Sequence, residues 1–207
     1  MTDTTVIIKT IGRKTLNYAI NSAKLEGFDV IVVADGCKIP PGGDHQVVTL
    51  GRKWGYYGGM AANVGAALAK TEFITFLDDD DEFLPGAGKH IRKKLKRNPS
   101  VDVWIGGVKF QHEVQLMDQG KVTYKGNTLA CDSSRGVVPG NVAMPTYRTS
   151  IFSKIPFADH IPPENLNLID YAHIAQCQQA GYKIDWFGRA LYNVRPRDER
   201  VNGAGQL

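Results

Sequence analysis

Five consecutive acidic residues, Asp78 to Glu82, directly follow an apolar run that ends at Leu77. Carboxylates packed this closely repel one another by several kcal/mol per close pair at an effective dielectric constant of ~20. A bound cation would relieve that cost, and oxygen ligands of this kind select hard divalent ions such as Mg²⁺ or Mn²⁺. Side chains alternate along a strand end, so Asp78 and Asp80 are expected on one side and Asp79 on the other. The run therefore predicts a divalent-cation site formed by Asp78 and Asp80.

A second interpretation of the acidic run needs no metal. Acidic residues near a helix N-terminus are favourable by themselves, and a helix is expected to follow Pro85. The run would then be a solvated acidic turn. We favour the cation site because the run is long and directly follows a buried strand.

The first hundred residues predict the scaffold that positions these acids. Apolar residues recur at helical spacing between four buried strands, a pattern typical of a parallel sheet with helices on both faces. Right-handed crossovers bring the carboxyl ends of such strands to one edge, where open α/β sheets bind ligands. The predicted strands are Val6–Ile8, Val30–Val33, Val47–Leu50 and Phe73–Leu77, and Thr10, Asp35, Gly51 and Asp78 fall at their ends.

The second half of the chain predicts a mixed, partly antiparallel continuation. Basic residues crowd a helix that ends before Pro99, with Ile91 and Leu95 as its apolar stripe. No aromatic residues interleave with these charges, so we interpret them as a solvated face rather than a nucleic-acid surface. The other predicted elements are a strand over 101–105, a hairpin within 108–124, a helix over 167–180 and a strand over 182–187.

Composition limits the class of protein. The 207 residues and 22.8 kDa suit one sizeable domain, and no apolar run approaches the ~20 residues that span a bilayer. The N-terminus lacks a signal-like pattern, and three widely separated cysteines predict free thiols, so we expect a soluble cytoplasmic protein. The net charge of +4 suits an anionic small-molecule substrate.

Several segments occur in an informative order. In the first half they are Val6–Arg13, Val30–Gly36, Gly59–Gly65 and Phe76–Pro85. Their order and spacing resemble a family 2-type glycosyltransferase of the GT-A fold. In the second half, Ile169–Ile184 resembles the family's helix that ends in Gly-Tyr-x-Ile, and Leu191–Arg195 resembles its late strand ending in Arg.

The resemblance implies an α/β, Rossmann-like GT-A domain over residues 1–207, in three α/β/α layers with a mostly parallel central sheet. The donor would bind to the half over about 1–100, and the acceptor to the half over about 101–207. The implied activity is a metal-dependent, inverting hexosyltransferase. It would move a sugar from a nucleoside-diphosphate sugar, most simply a UDP-sugar such as UDP-glucose, to a hydroxyl of a saccharide, lipid or protein.

The resemblance also implies roles for individual residues. Asp170 falls on the family's catalytic aspartate, the base that deprotonates the acceptor hydroxyl. Asp78 and Asp80 would hold Mn²⁺ or Mg²⁺. The implied donor-binding residues are Thr10, Ile11, Arg13, Asp35, Arg52, Asn63, Asp78 and Asp79.

Alternatives stay open from the sequence alone. Ile74–Asp80 also looks like a strand feeding the Asp-x-Asp nucleophile of a haloacid-dehalogenase phosphatase, although that class carries the motif on its first strand. The chain could also bind a nucleotide sugar without transferring it, with Asp170 an ordinary acid at a helix N-terminus. Arg195, Arg197 and Arg200 are further candidates for contacting the diphosphate.

Overall fold

The computed structural model of the chain describes residues 4–41, 43–55, 58–110, 113–118, 121–124, 127–130, 145–157 and 169–194. Its first half contains four parallel strands in the order β3-β2-β1-β4. The crossovers between β1 and β2 and between β3 and β4 carry the helices α1 and α2. The bounds are β1 Thr4–Thr10, α1 Leu16–Leu25, β2 Asp29–Ala34, β3 Gln46–Thr49, α2 Gly59–Leu68 and β4 Phe73–Asp78.

The second half extends this sheet with mixed strands. Strand β10 pairs antiparallel with both β4 and β6, while β11 runs parallel to β6 and antiparallel to β5. A 3₁₀ turn, Thr149–Ile151, follows β10. The bounds are β5 Asp81–Phe83, α3 Ala87–Arg97, β6 Val103–Phe110, β7 Glu113–Asp118, β8 Lys121–Tyr124, β9 Asn127–Ala130, β10 Thr146–Arg148, α4 Ile169–Gln179 and β11 Ile184–Val194.

The apolar residues of β1 show why the sheet is covered on both faces. Val6 and Ile8 are fully buried in a cluster that includes residues of α1 and α3. Ile7 points to the opposite face and belongs to a second cluster with residues of α2 and α4. Gly65 lets α2 approach closely, since a Cβ atom there would lie 2.3 Å from Cγ2 of Ile7. The predicted three-layer α/β/α arrangement is confirmed.

The late strand is longer than the sequence pattern predicts. The predicted segment 182–187 becomes β11, which continues to Val194 after a register shift between Trp186 and Tyr192. Gly188 adopts a φ of +72° within this irregularity. Because the bulge breaks the side-chain alternation, the sequence pattern suggests two segments where the backbone forms one strand. The predicted hairpin within 108–124 is also part of a longer meander that reaches β9.

The basic side chains of helix α3 form two groups, one bound to neighbouring backbone and one exposed to solvent. Arg92 donates to the carbonyl oxygen of Glu26 at 3.0 Å, and Lys94 donates to that of Trp186 at 3.2 Å, so both tie the helix to neighbouring segments. The remaining lysines and arginine are exposed, as the solvated-face interpretation predicts. They are Lys89, Lys93, Lys96 and Arg97.

Two of the three cysteines lie within the described residues, and both are free thiols, as predicted. Burial raises the pKa of Cys177 to about 12, which makes its thiol a poor nucleophile. Cys131 lies outside the described residues. Among the helices that the structure describes, none combines the length and the apolar character needed to cross a bilayer.

His173 on α4 gives the fold a predicted pH dependence. Burial among Phe152 and Phe157 lowers the pKa of His173, against the raising effect of its hydrogen bond to the carbonyl oxygen of Ile155. The imidazole of His173 is therefore protonated near pH 6.5 in the unfolded chain, whereas the folded chain binds this proton only at lower pH. The contribution of His173 to the free energy of unfolding should be fully present above pH 6.5. Below that pH it should fall by up to ~1.4 kcal/mol per pH unit. Urea unfolding at pH 7.5 and 5.5 should show a smaller loss in His173→Gln than in wild type; equal losses would contradict this role.

Candidate active site

The acidic run is divided between a strand end, a turn and a short strand. Asp78 ends β4, Asp79 and Asp80 form the turn, and Asp81 begins β5. One carboxylate oxygen from each of Asp78, Asp80 and Asp81 lies within 4.8 Å of the others. Asp80 and Asp81 are buried, so their charges are poorly screened by water. This set of oxygen donors fits a hard divalent cation. The structure thus brings together the two predicted ligands and adds Asp81.

Asp79 lies outside this set of three oxygen donors and binds the end of β1 and the segment after it. Its buried carboxylate accepts hydrogen bonds from the Thr10 hydroxyl and, at 3.3 Å, from the backbone N–H of Ile11. The Arg13 guanidinium pairs with its other oxygen. Asp79 therefore holds the segment after β1 against the acidic turn. The donor-binding roles of these four residues stay predictions.

Arg13 contacts a second member of the acidic run. Its Nε atom lies 3.9 Å from Oδ2 of Asp80, so one guanidinium lies between Asp79 and Asp80. Burial lowers the pKa of Arg13, but the two carboxylates outweigh that effect and the net change is a raised pKa. The guanidinium offsets part of the negative charge beside the candidate cation site.

Lys9 offsets charge at the opposite end of the cluster. It lies directly beside Asp78 in the parallel register of β1 and β4, and its Nζ atom is 3.0 Å from Oδ1 of Asp78. Burial lowers the pKa of Lys9, whereas the carboxylates of Asp78, Asp170 and Asp81 raise it, with a net increase. A protonated lysine therefore belongs to the site.

Asp35 anchors a loop at the same edge of the sheet. Its buried carboxylate accepts the backbone N–H groups of Trp54 at 2.7 Å and Gly55 at 2.9 Å. The loop passes so close to Gly36 that a Cβ atom there would lie 2.4 Å from the backbone nitrogen of Lys53. The predicted contact between Asp35 and a nucleobase stays a prediction, and the loop anchor is a role that the sequence did not indicate.

Arg52 belongs to the same loop and is exposed. Its guanidinium carbon lies 3.8 Å from the centre of the Trp54 ring, an arrangement that presents a planar cation and an aromatic face together. These groups suit a uracil or phosphate contact. The predicted donor-binding role of Arg52 stays a prediction.

Asn63 has a structural contact within α2. Its side-chain amide donates to the carbonyl oxygen of Phe157 at 3.0 Å and accepts the N–H of the same residue at 2.8 Å. Both polar atoms of the amide thus bind the backbone that follows the 3₁₀ turn. Donor binding by Asn63 stays a prediction, although its amide is already engaged.

Asp170 is the second residue of α4, as the helix prediction requires. Desolvation raises the pKa of its half-buried carboxyl group; Asp78 raises it further, and Lys9 lowers it. The charge of Asp170 thus interacts with Lys9 and with Asp78, and its role as the catalytic base stays a prediction. A carboxylate with a raised pKa is a stronger base, which is the property that a general base needs.

Two residues of this site carried no assigned role in the sequence interpretation. Asp81 lies within the acidic run, but its place in a second strand was not predicted. Lys9 carried a usable signal, because a lysine next to a buried apolar run is rarely buried unless it is paired. The predicted tail contacts, Arg195, Arg197 and Arg200, lie outside the described residues.

Comparisons with known proteins identify the class. The family model described as "Glycosyl transferase family 2" matches residues 5–159, which is more than half of the chain. The chain therefore belongs to glycosyl transferase family 2. This assignment, together with the position of the acidic run after the fourth strand, decides against the phosphatase alternative. No curated protein sequence matches the chain.

Solved structures show the same fold at low sequence identity. S. aureus TarS 1–349 in complex with UDP has a TM-score of 0.69 and 17% identity, covering 99% of this chain and 67% of that chain. S. aureus TarS 1–349 in complex with UDP-GlcNAc has a TM-score of 0.65 and 19% identity, covering 99% and 60%. In the comparison with S. aureus TarS 1–349, this chain covers 62% of that chain. The predicted GT-A fold is confirmed.

Asp79 has a structural role that can be tested by stability. Asp79→Asn removes a fully buried charged acceptor and should lower the free energy of unfolding by about 2 kcal/mol, because the hydrogen bonds from Thr10 and Arg13 to a charged group are lost. Asp44→Asn, whose side chain is 84% exposed, should change the free energy of unfolding little. Urea unfolding without added metal measures both values. Equal losses for the two variants would contradict the structural role of Asp79.

Proposed function

We propose that this chain is a metal-dependent, inverting glycosyltransferase that moves the sugar of a UDP-sugar to a hydroxyl acceptor. The observation that carries the proposal is the cluster of Asp78, Asp80 and Asp81 at the carboxyl edge of the sheet, in a chain that belongs to glycosyl transferase family 2. The donor would bind to the half of the domain over about 1–100, and the acceptor would bind to the half over about 101–207.

The cation would be Mn²⁺ or Mg²⁺, held by Asp78, Asp80 and Asp81. When bound, it would offset the negative charge that develops on the diphosphate as the bond to the sugar breaks. The protein's own contribution is to hold three carboxylates within reach of one another at the end of β4 and the start of β5. Arg13 and Lys9 reduce the repulsion that this arrangement creates.

Asp170 would act as the general base. Its carboxylate would accept the proton of the acceptor hydroxyl while the oxygen attacks the anomeric carbon, and the diphosphate leaves from the opposite face. One positioned base contributes a factor of about 10²–10⁴ to such a reaction. The raised pKa of Asp170 supports this role because it strengthens the carboxylate as a proton acceptor.

The donor would bind along the strand ends that carry Thr10, Asp35 and Arg52. TarS, which shares the fold, was crystallised with UDP and with UDP-GlcNAc, and this supports a uridine nucleotide as the first ligand to test here. UDP-glucose and UDP-GlcNAc should be compared directly. Release of UDP in the presence of candidate saccharide, lipid and protein acceptors tests the proposal as a whole. It fails if neither UDP nor either UDP-sugar binds with Mn²⁺ present.

Neutralising a candidate metal ligand should remove the metal dependence of donor binding. In calorimetry with Mn²⁺ present, Asp80→Asn is expected to bind UDP at least about tenfold more weakly than wild type, because one of three cation ligands is lost. Without Mn²⁺ the two proteins should bind UDP equally. Asp44→Asn is the matched control, because it neutralises an exposed carboxylate elsewhere. Unchanged affinity in Asp80→Asn with Mn²⁺ present would rule out the metal assignment.

Removing the base should separate binding from transfer. Asp170→Asn is expected to keep its UDP affinity within about twofold and to lose a factor of about 10²–10⁴ in turnover. Because the acceptor is unidentified, slow transfer to water can be followed as UDP release from the UDP-sugar. Turnover equal to that of wild type would remove Asp170 as the base. A wild-type protein that binds the donor but releases no UDP with any acceptor would instead be a binding protein.

A further inference from the structure

Lys9 is a charged residue placed inside the sheet. It is the next-to-last residue of β1, a central strand flanked by β2 and β4, and its neighbours Ile8 and Thr10 are buried. Only 13% of its side chain is exposed, and its ammonium lies 3.0 Å from Oδ1 of Asp78. Burial of such a charge is costly unless it is paired, so the position of the ammonium depends on this carboxylate.

The aliphatic part of the Lys9 side chain is packed against the start of α2. Gly58, at the start of α2, adopts a φ of +78° and lies directly over it. A Cβ atom at Gly58 would lie 2.9 Å from Cδ of Lys9. The helix terminus therefore covers the methylene groups of the lysine and directs its ammonium toward the acidic cluster.

Carboxylates from three elements act on this ammonium. Asp78 on β4 is the nearest, and Asp81 on β5 and Asp170 on α4 add to its electrostatic stabilisation. Two of these three, Asp78 and Asp81, also belong to the candidate cation site. A divalent cation and the ammonium would thus share the same carboxylates, and their like charges repel each other.

We infer that Lys9 is a built-in counter-cation of Asp78 that keeps the metal affinity of the donor-free site low. The diphosphate of a donor adds negative charge and oxygen ligands, and it would raise the affinity for the metal in spite of the ammonium. Metal and donor would then bind together rather than in sequence. The inference deepens the proposed function and rests on it for the identity of the donor, but the competition at Asp78 concerns metal binding alone.

Calorimetric titration with Mn²⁺ in the absence of nucleotide tests the competition. Lys9→Met keeps the length of the stem and removes the charge, and it should bind Mn²⁺ at least tenfold more tightly than wild type. Lys9→Arg keeps the charge and should stay within about threefold of wild type. A purely structural role would lower the melting temperature of Lys9→Met without strengthening metal binding, and unchanged or weaker Mn²⁺ affinity in that variant overturns the inference.

A double-mutant cycle assigns the effect to Asp78. In an Asp78→Asn background, the substitution Lys9→Met should no longer strengthen Mn²⁺ binding, because the shared carboxylate is gone. A persisting gain would overturn the role of Asp78. If Lys9→Met does not fold, Lys9→Gln serves as the neutral variant with the same expected gain.

The proposed function fails separately from this inference. Loss of UDP binding or of transfer in wild type overturns the glycosyltransferase proposal, while a gain of Mn²⁺ affinity in Lys9→Met still supports the counter-cation. Conversely, if the wild-type protein transfers sugar but Lys9→Met does not gain affinity for Mn²⁺, only the inference that Lys9 is a counter-cation is overturned.

Discussion

The arrangement of this site depends on the repulsion among carboxylates gathered at one edge of a parallel sheet. Asp78, Asp80 and Asp81 offer oxygen atoms within 4.8 Å of one another, and two of the three side chains are buried. The chain offsets this charge with cations from β1 and from the segment after it. Lys9 pairs with Asp78, and Arg13 lies between Asp79 and Asp80. The remaining negative charge suits a divalent ion.

The sheet order explains why these charges meet. Strands β1 and β4 are neighbours in parallel register, which sets Lys9 beside Asp78. Strand β5 then pairs with β11 and turns Asp81 back toward the end of β4. Helix α4, far along the chain, brings Asp170 close enough for its charge to interact with both Lys9 and Asp78. Ligand sites at the carboxyl ends of parallel strands arise in this way because the crossovers return each strand in the same direction.

Much of the first half could be predicted from local patterns. Buried strands such as Val30–Val33 and the acidic run after Leu77 are signals within a few residues. The structure confirms the parallel sheet and shows that carboxylate oxygens of Asp78 and Asp80 lie close together. The late strand was harder, because the bulge near Gly188 interrupts the alternation on which strand prediction depends. Asp35 shows a further limit, since its contact with the 51–55 loop joins residues about twenty positions apart that share no pattern.

The sequence by itself determined the class of fold, the edge of the sheet where ligands are expected to bind and the acidic character of that edge, because these follow from periodicity and composition over short windows. Only the tertiary structure decided which charges face one another. It paired Lys9 with Asp78, turned Asp79 toward Arg13 and added Asp81 to the candidate cation site. Electrostatic partners depend on distances between side chains in three dimensions, and such distances are set by strand register and helix packing rather than by position along the chain.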